Sequence, residues 1–291
     1  MIAQVGETQL YYKEDGKGLP LIVHHGGPGF DHTTICPFLG ALAAHMRVIC
    51  FDHRGTGQSS GPESADRYRF EDFVDDLEGL RRHLGLDKFA LLGHSFGGMV
   101  AQYYALAYPE RLSHLVLVCT AASNEFIQDG MANLRGKVSL EVWRELDCIS
   151  HEPPTAENMK RAFVLQAPVF FRSPAGIAAI DLEAVKWGPH SLAAWAHIAK
   201  FDLRQCLSEI GAPTLVIGGR HDLGIAPCFS EELARLIPGA TLAISEHSAH
   251  FPYMEDEKWF MEVVERFIGG QELPGNVQGP RAQAVGEIKA P

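Results

Sequence analysis

Residues 88–107 read KFALLGHSFGGMVAQYYALA, an apolar strand-like run that passes into a helix-like run with no loop between them. The junction Gly93-His94-Ser95-Phe96-Gly97 fits G-x-S-x-G. So sharp a turn needs glycines where side chains would collide, and it strains the backbone of the residue at its tip. It lifts the Ser95 hydroxyl to the carboxyl edge of whatever sheet holds the strand. A chain built around such a turn requires a buried central strand with helices packed behind it.

The rest of the chain supplies that frame. Residues 1–20 alternate polar and apolar around Gly6 and Gly16 and predict a starting hairpin. Apolar runs at 19–25, 46–51, 88–94, 112–120, 212–219 and 241–245 read as strands. Between them lie helical patterns at 73–84, 96–107, 229–236 and 256–268, the first stopped by Gly85. Strands alternating with helices imply an α/β fold, with a parallel sheet covered on both faces. The rhythm fails over 124–204, which has helical segments, no clear strand and three of the four tryptophans, Trp143, Trp187 and Trp195. The expected organisation is therefore a catalytic domain made of 1–123 and 205–270, interrupted by a helical insertion at 124–204. Residues 271–291, rich in Gly and Pro, are expected to be a flexible tail. An arm docking on a second copy is the alternative, so a homo-oligomer stays open.

Composition narrows the partners. The 291 residues carry 25 basic and 36 acidic side chains, a net charge of −11, which argues against a nucleic-acid partner. The acidity is best read as solubility. No apolar stretch reaches the ~20 residues needed to span a bilayer, and MIAQVGETQL lacks the pattern of a signal peptide. The six cysteines, Cys36, Cys50, Cys119, Cys148, Cys206 and Cys228, form no CxxC pair. Cys50 and Cys119 lie in apolar runs and read as buried free thiols. Together these features predict a reducing, cytoplasmic setting, no metal and no cofactor.

A serine nucleophile needs a base and the base an orienting carboxylate, here in the chain order Ser, acid, His. Asp222 follows the strand at 212–219 and His250 follows the strand at 241–245, so both arrive at the edge where Ser95 is expected. His221 and His247 compete with His250. His221 adjoins Asp222, and His250 is favoured because Phe251-Pro252 then closes its loop. Donors for an oxyanion are expected from the N–H of Phe96, after the nucleophile, and of Gly27 in His25-Gly26-Gly27-Pro28-Gly29.

These segments resemble the α/β-hydrolase superfamily, and HGGPG at 25–29 narrows the likeness to serine hydrolases of the proline iminopeptidase type. The remaining marks are the stretch Asp52 to Ser59 (DHRGTGQS), GHSFGG at 93–98, Gly219 to Asp222, and His250-Phe251-Pro252 with Glu255. The resemblance implies a mostly parallel eight-stranded sheet with helices on both faces and an inserted helical cap. It also implies nucleophile Ser95, acid Asp222 and base His250 acting through an acyl-enzyme on a small ester, amide or short peptide. Proline iminopeptidases usually read GGSWG at the nucleophile and DQRG in the second loop. This chain has GHSFGG and Asp52-His53-Arg54-Gly55. They also hold the substrate ammonium with carboxylates, and here 124–204 carries ten acidic and nine basic residues, a net of −1. Glu125, Glu145, Glu152 and Glu183 are the candidates for that role. A carboxylesterase or lactonase on an apolar acyl compound is the alternative activity. A non-catalytic ligand receptor on the same fold is the alternative class.

Overall fold

The computed structural model describes residues 1–274 and Val277. Eight strands, β1 (Ile2–Val5), β2 (Thr8–Asp15), β3 (Leu19–His24), β4 (Met46–Phe51), β5 (Phe89–His94), β6 (Leu112–Val118), β7 (Thr214–Gly219) and β8 (Thr241–Ser245), form one sheet. Their order is β1-β2-β4-β3-β5-β6-β7-β8. The hairpin β1–β2 joins β4 antiparallel, and every later pairing is parallel.

Strand residues alternate between two cores, the pattern a doubly covered sheet requires. Ile22, Ile49, Leu91, Leu117 and Val216 point to one face. There they meet α1 (Phe70–His83) and α2 (Phe96–Ala107), with Phe73, Leu77 and Val100 fully or almost fully buried. Leu21, Val23, Leu92, Val118 and Ile217 point to the other. The sequence between β6 and β7 forms a helical insertion of α3 (Phe126–Lys137), α4 (Leu140–Ser150), α5 (Ala156–Phe170) and α6 (Pro174–Ala178), followed by the short α7 (Trp195–Ile198). Its two ends are stitched together where Asn124 N–H donates to Phe201 O at 2.7 Å and Leu203 N–H to Ala122 O at 2.8 Å. After it come α8 (Pro227–Leu236), α9 (Pro252–Glu255) and α10 (Glu257–Ile268). Residues Phe260, Val263 and Val264 of α10 close the second face.

The elements expected from sequence are present, and the differences lie at their ends. α1 starts at Phe70 rather than 73, because the Asp72 carboxylate accepts from the backbone N–H and from Nε of Arg69, each at 3.0 Å, and holds one more turn. α8 starts at Pro227, whose missing N–H is harmless at a first helical position. β6 ends at Val118 because Cys119 takes a left-handed φ of 45°. Of the tail expected at 271–291, Leu273 and Val277 pack against the second core, and 275–276 and 278–291 lie outside the described residues.

The cysteine reading needs correction. Cys119 is a buried free thiol, but Cys36 and Cys50 are joined in a disulfide with Cα atoms 6.1 Å apart. A separation of 14 residues hides the pairing, since only the 3-10 turn Cys36–Phe38 folding over β4 brings the two together. The bond removes the cysteine argument for a reducing compartment. Among the described residues, no helix is long and apolar enough to cross a membrane.

Candidate active site

Ser95 sits between β5 and α2 with φ 55° and ψ −118°, a left-handed conformation that costs a non-glycine residue about 1–3 kcal/mol. The neighbours enforce it. Ser95 N–H donates to Val118 O at 2.9 Å, and its carbonyl accepts from Thr120 Oγ1 at 2.8 Å and Gly98 N–H at 2.9 Å. A Cβ on Gly93 would collide with the Gly97 carbonyl, and one on Gly97 with the His24 carbonyl. The glycines of G-x-S-x-G are therefore needed for close backbone approach.

Beyond β7 and β8, Asp222 and His250 meet. His250 Nδ1 lies 2.7 Å from Asp222 Oδ2, with both side chains buried. Asp222 Oδ1 accepts from the N–H groups of Gly224 and Ile225, each at 2.9 Å, so the carboxylate is held at both oxygens. Neither competitor takes this place. His221 and His247 are exposed and do not line the cavity described below. His94, two positions into the G-x-S-x-G junction, holds His250 from behind, its Nε2 donating to His250 O at 2.8 Å. Burial, reinforced by neighbouring His250, pushes the His94 pKa well down, so this ring is a neutral donor. The thiol of Cys119 lies beside the pair, and burial together with the Asp222 charge pushes its pKa well up.

The loop after β3 approaches from the other side. Gly27 adopts φ 140°, and a Cβ there would lie 2.9 Å from Gly29 N. Among the described residues, neither the Gly27 N–H nor the Phe96 N–H donates to a protein acceptor. Histidines brace this loop. His25 stacks on His53 with ring centroids 4.2 Å apart, and its Nδ1 meets Gly26 O at 2.7 Å. Burial lowers His25 and His53 and holds His24 down to about 3, so the cluster is uncharged. Asp52 at the end of β4 accepts from His32 Nδ1 at 2.7 Å and from Gln58 N–H at 2.8 Å. Arg54 clamps Asp76 of α1 through two bonds of 2.7 and 2.8 Å. In the cluster Asp31–His32–Asp52, Asp31 also accepts from Lys186 N–H at 2.9 Å, tying the insertion to the loop. Its carboxylate oxygens are already engaged by the protein, so the group acts as a clasp between segments.

Ser95, Gly27, Phe96 and His250 open on one cavity of about 280 Å³ beneath the insertion. Phe163, Phe170, Trp187, Trp195 and Leu192 of the insertion form much of its wall, so two of the three insertion tryptophans face it. Trp143 instead packs under the Arg135 guanidinium, 4.8 Å from its ring centroid. No Asp, Glu, Lys or Arg lines the cavity among the described residues. Glu125 pairs with Arg204 at 2.7 Å, Glu145 with Arg161 at 2.7 Å, Glu183 with Lys160, and Glu152 accepts from Asn158 at 2.9 Å. All four candidate ammonium ligands are thus engaged away from the cavity.

Sequence reasoning missed how closely the insertion is tied to the pair. Phe170 O accepts from His250 N–H at 3.0 Å, and Val169 O from Leu223 N–H at 3.0 Å. Glu255 bridges the same regions, accepting from Arg172 N–H at 2.9 Å and Ala249 N–H at 2.8 Å. Pro168 inside α5 is the visible sequence signal that the helix ends in this special way.

A family model described as the alpha/beta hydrolase fold matches residues 20–257. A proline iminopeptidase of Heyndrickxia coagulans is 30% identical over 270 residues, covering 88% of this chain and 93% of that protein. Among solved structures, a thermophilic esterase from Thermogutta terrifontis is similar with TM-score 0.74 and 27% identity, covering 93% of this chain and 98% of its own. The enol-lactonase from Burkholderia xenovorans gives TM-score 0.68 and 27% identity, covering 92% of this chain and all, 100%, of its own. With the sheet order, the strained serine turn and the Asp–His pair already in place, the chain belongs to the α/β-hydrolase fold family, among relatives of the proline iminopeptidase type.

Proposed function

We propose that this protein is a serine hydrolase that cleaves small, uncharged carboxylic esters or lactones through an acyl-enzyme. The observation that carries the reading is the buried Asp222–His250 pair at 2.7 Å, opening with Ser95 on one apolar cavity free of charged side chains. With Nδ1 engaged by Asp222, Nε2 is the free nitrogen of the His250 ring. It takes the proton from Ser95 Oγ as that oxygen attacks the ester carbonyl. The N–H groups of Gly27 and Phe96 receive the negative oxygen of the tetrahedral intermediate. His250 returns the proton to the departing alcohol oxygen. Water then attacks the acyl-enzyme by the same steps in reverse and releases the acid.

The uncharged wall supports an ester over a free N-terminal peptide. An ammonium taken from water into an apolar cavity needs a carboxylate partner, and none lines this one. The esterase and lactonase among the similar structures agree with this choice. The second reading, release of N-terminal proline, is favoured by the relatives named proline iminopeptidase. Turnover of 4-nitrophenyl butyrate and simple lactones, measured beside prolyl- and alanyl-arylamides, separates them. We expect ester cleavage far above arylamide cleavage, and the opposite order overturns the ester reading. A fluorophosphonate should label Ser95, and absence of both label and turnover would favour the non-catalytic receptor.

A further inference from the structure

We infer that Gln166 is a specificity-determining residue, selecting acyl groups that carry an uncharged carbonyl or amide partway along the chain. The inference rests on the ester-hydrolase reading above and adds the class of acyl group. Along α5, residues 159, 162, 163, 166 and 170 line the cavity, the spacing of one helix face. Met159, Ala162, Phe163 and Phe170 make that face apolar, and Gln166 interrupts it.

The other groups of the lining that both donate and accept are already committed. Ser95 and His250 belong to the proposed chemistry. Thr34 Oγ1 donates to Asp31 O at 2.9 Å, and His94 Nε2 to His250 O at 2.8 Å. The Gln166 carboxamide has no protein partner among the described residues.

A carboxamide on an apolar wall loses water when a ligand fills the cavity, which is unfavourable unless the ligand replaces the lost bonds. A plain hydrocarbon acyl chain leaves the Gln166 carboxamide unmatched. An acyl chain with a ketone or amide oxygen at its height accepts from it. The cavity lacks charged side chains, so a charged substituent has no counterion there.

The test compares wild type with Gln166→Met, a change that keeps side-chain length and helix propensity. The probes are 4-nitrophenyl heptanoate and its 5-oxo and 6-oxo analogues, in which one CH₂ becomes C=O. The variant should lose about three- to tenfold in kcat/KM on at least one oxo ester, while staying within about twofold or improving on the plain ester. Plain-ester turnover with the same ratio for all three probes overturns the assignment of Gln166 and leaves the hydrolase reading standing. No turnover of any ester by wild type overturns the hydrolase reading and the selection with it.

Discussion

The carboxyl edge of the sheet and the helical insertion above it are built on opposite principles. At the edge, Asp52, Arg54, His25, His53, Asp222 and His250 are buried polar groups, most of them matched by a hydrogen-bond partner. In the insertion, α4 buries no residue, and Met131, Leu140, Val164 and Trp195 are exposed. Its ion pairs, such as Glu145–Arg161, lie in water. On the function proposed above, reactive groups need fixed geometry, so they sit where substitution is costly. Selection among acyl groups would need only a wall, which the insertion supplies from apolar side chains such as Phe163, Phe170 and Trp187. The α5 terminus is where the two meet, because its carbonyls hold the loops of both Asp222 and His250.

This contrast can be broken experimentally. The largest effect should come from Ser95→Ala, which is expected to lower kcat on a nitrophenyl ester by roughly 10⁶-fold, as in triad enzymes generally. Near-normal turnover would remove the edge from the chemistry altogether. Next, Arg54→Met strands Asp76 as an unpaired buried carboxylate and should cost about 3–5 kcal/mol in urea unfolding. A change within error would show that the edge is not the rigid region.

Acid should weaken the edge in a defined window. Buried neutral, His24 is held down to about 3, against an ordinary value of 6.5. Below pH 6.5 the unfolded chain binds a proton that the folded chain refuses, so stability is complete above 6.5 and falls as pH drops toward 3. For His24 alone the loss at pH 5 is about 2 kcal/mol. His53 and His94 are lowered too and add to it in the same direction. Denaturant midpoints followed from pH 7 to pH 5 should show the decline, and His24→Asn should flatten it by about one proton. The smallest effect belongs to the insertion. Arg161→Ala breaks an exposed pair with Glu145 and should change unfolding by less than about 1 kcal/mol. A loss as large as that of Arg54→Met would erase the distinction between the two regions.

Legibility follows the same division. The strand-turn-helix at Ser95, the strands leading to Asp222 and His250 and the two-sided sheet are periodic or punctuated by glycine, so they stand in the sequence itself. The choice of His250 over His247 needed only the Phe251-Pro252 that ends its loop, and the structure places His250 against Asp222. The clasp of Asp31, His32 and Asp52 left no comparable mark. Its members serve segments far apart in the chain, with Lys186 brought to Asp31 from 155 residues away. The Cys36–Cys50 bond is hidden for a different reason: its members are only 14 residues apart, but they meet only when the turn at Cys36–Phe38 folds over β4, and the free-thiol reading of Cys50 fails there.

By itself, then, the sequence determined the α/β sheet, the position of the insertion and the order in which serine, acid and histidine reach one edge. These depend on local pattern: period of two in strands, period near 3.6 in helices, glycine where backbones touch. Tertiary structure alone decided that the insertion's acids point away from the cavity and that Gln166 falls within an otherwise apolar wall. Which neighbour a side chain meets depends on how distant segments pack, and one-dimensional spacing does not encode that distance.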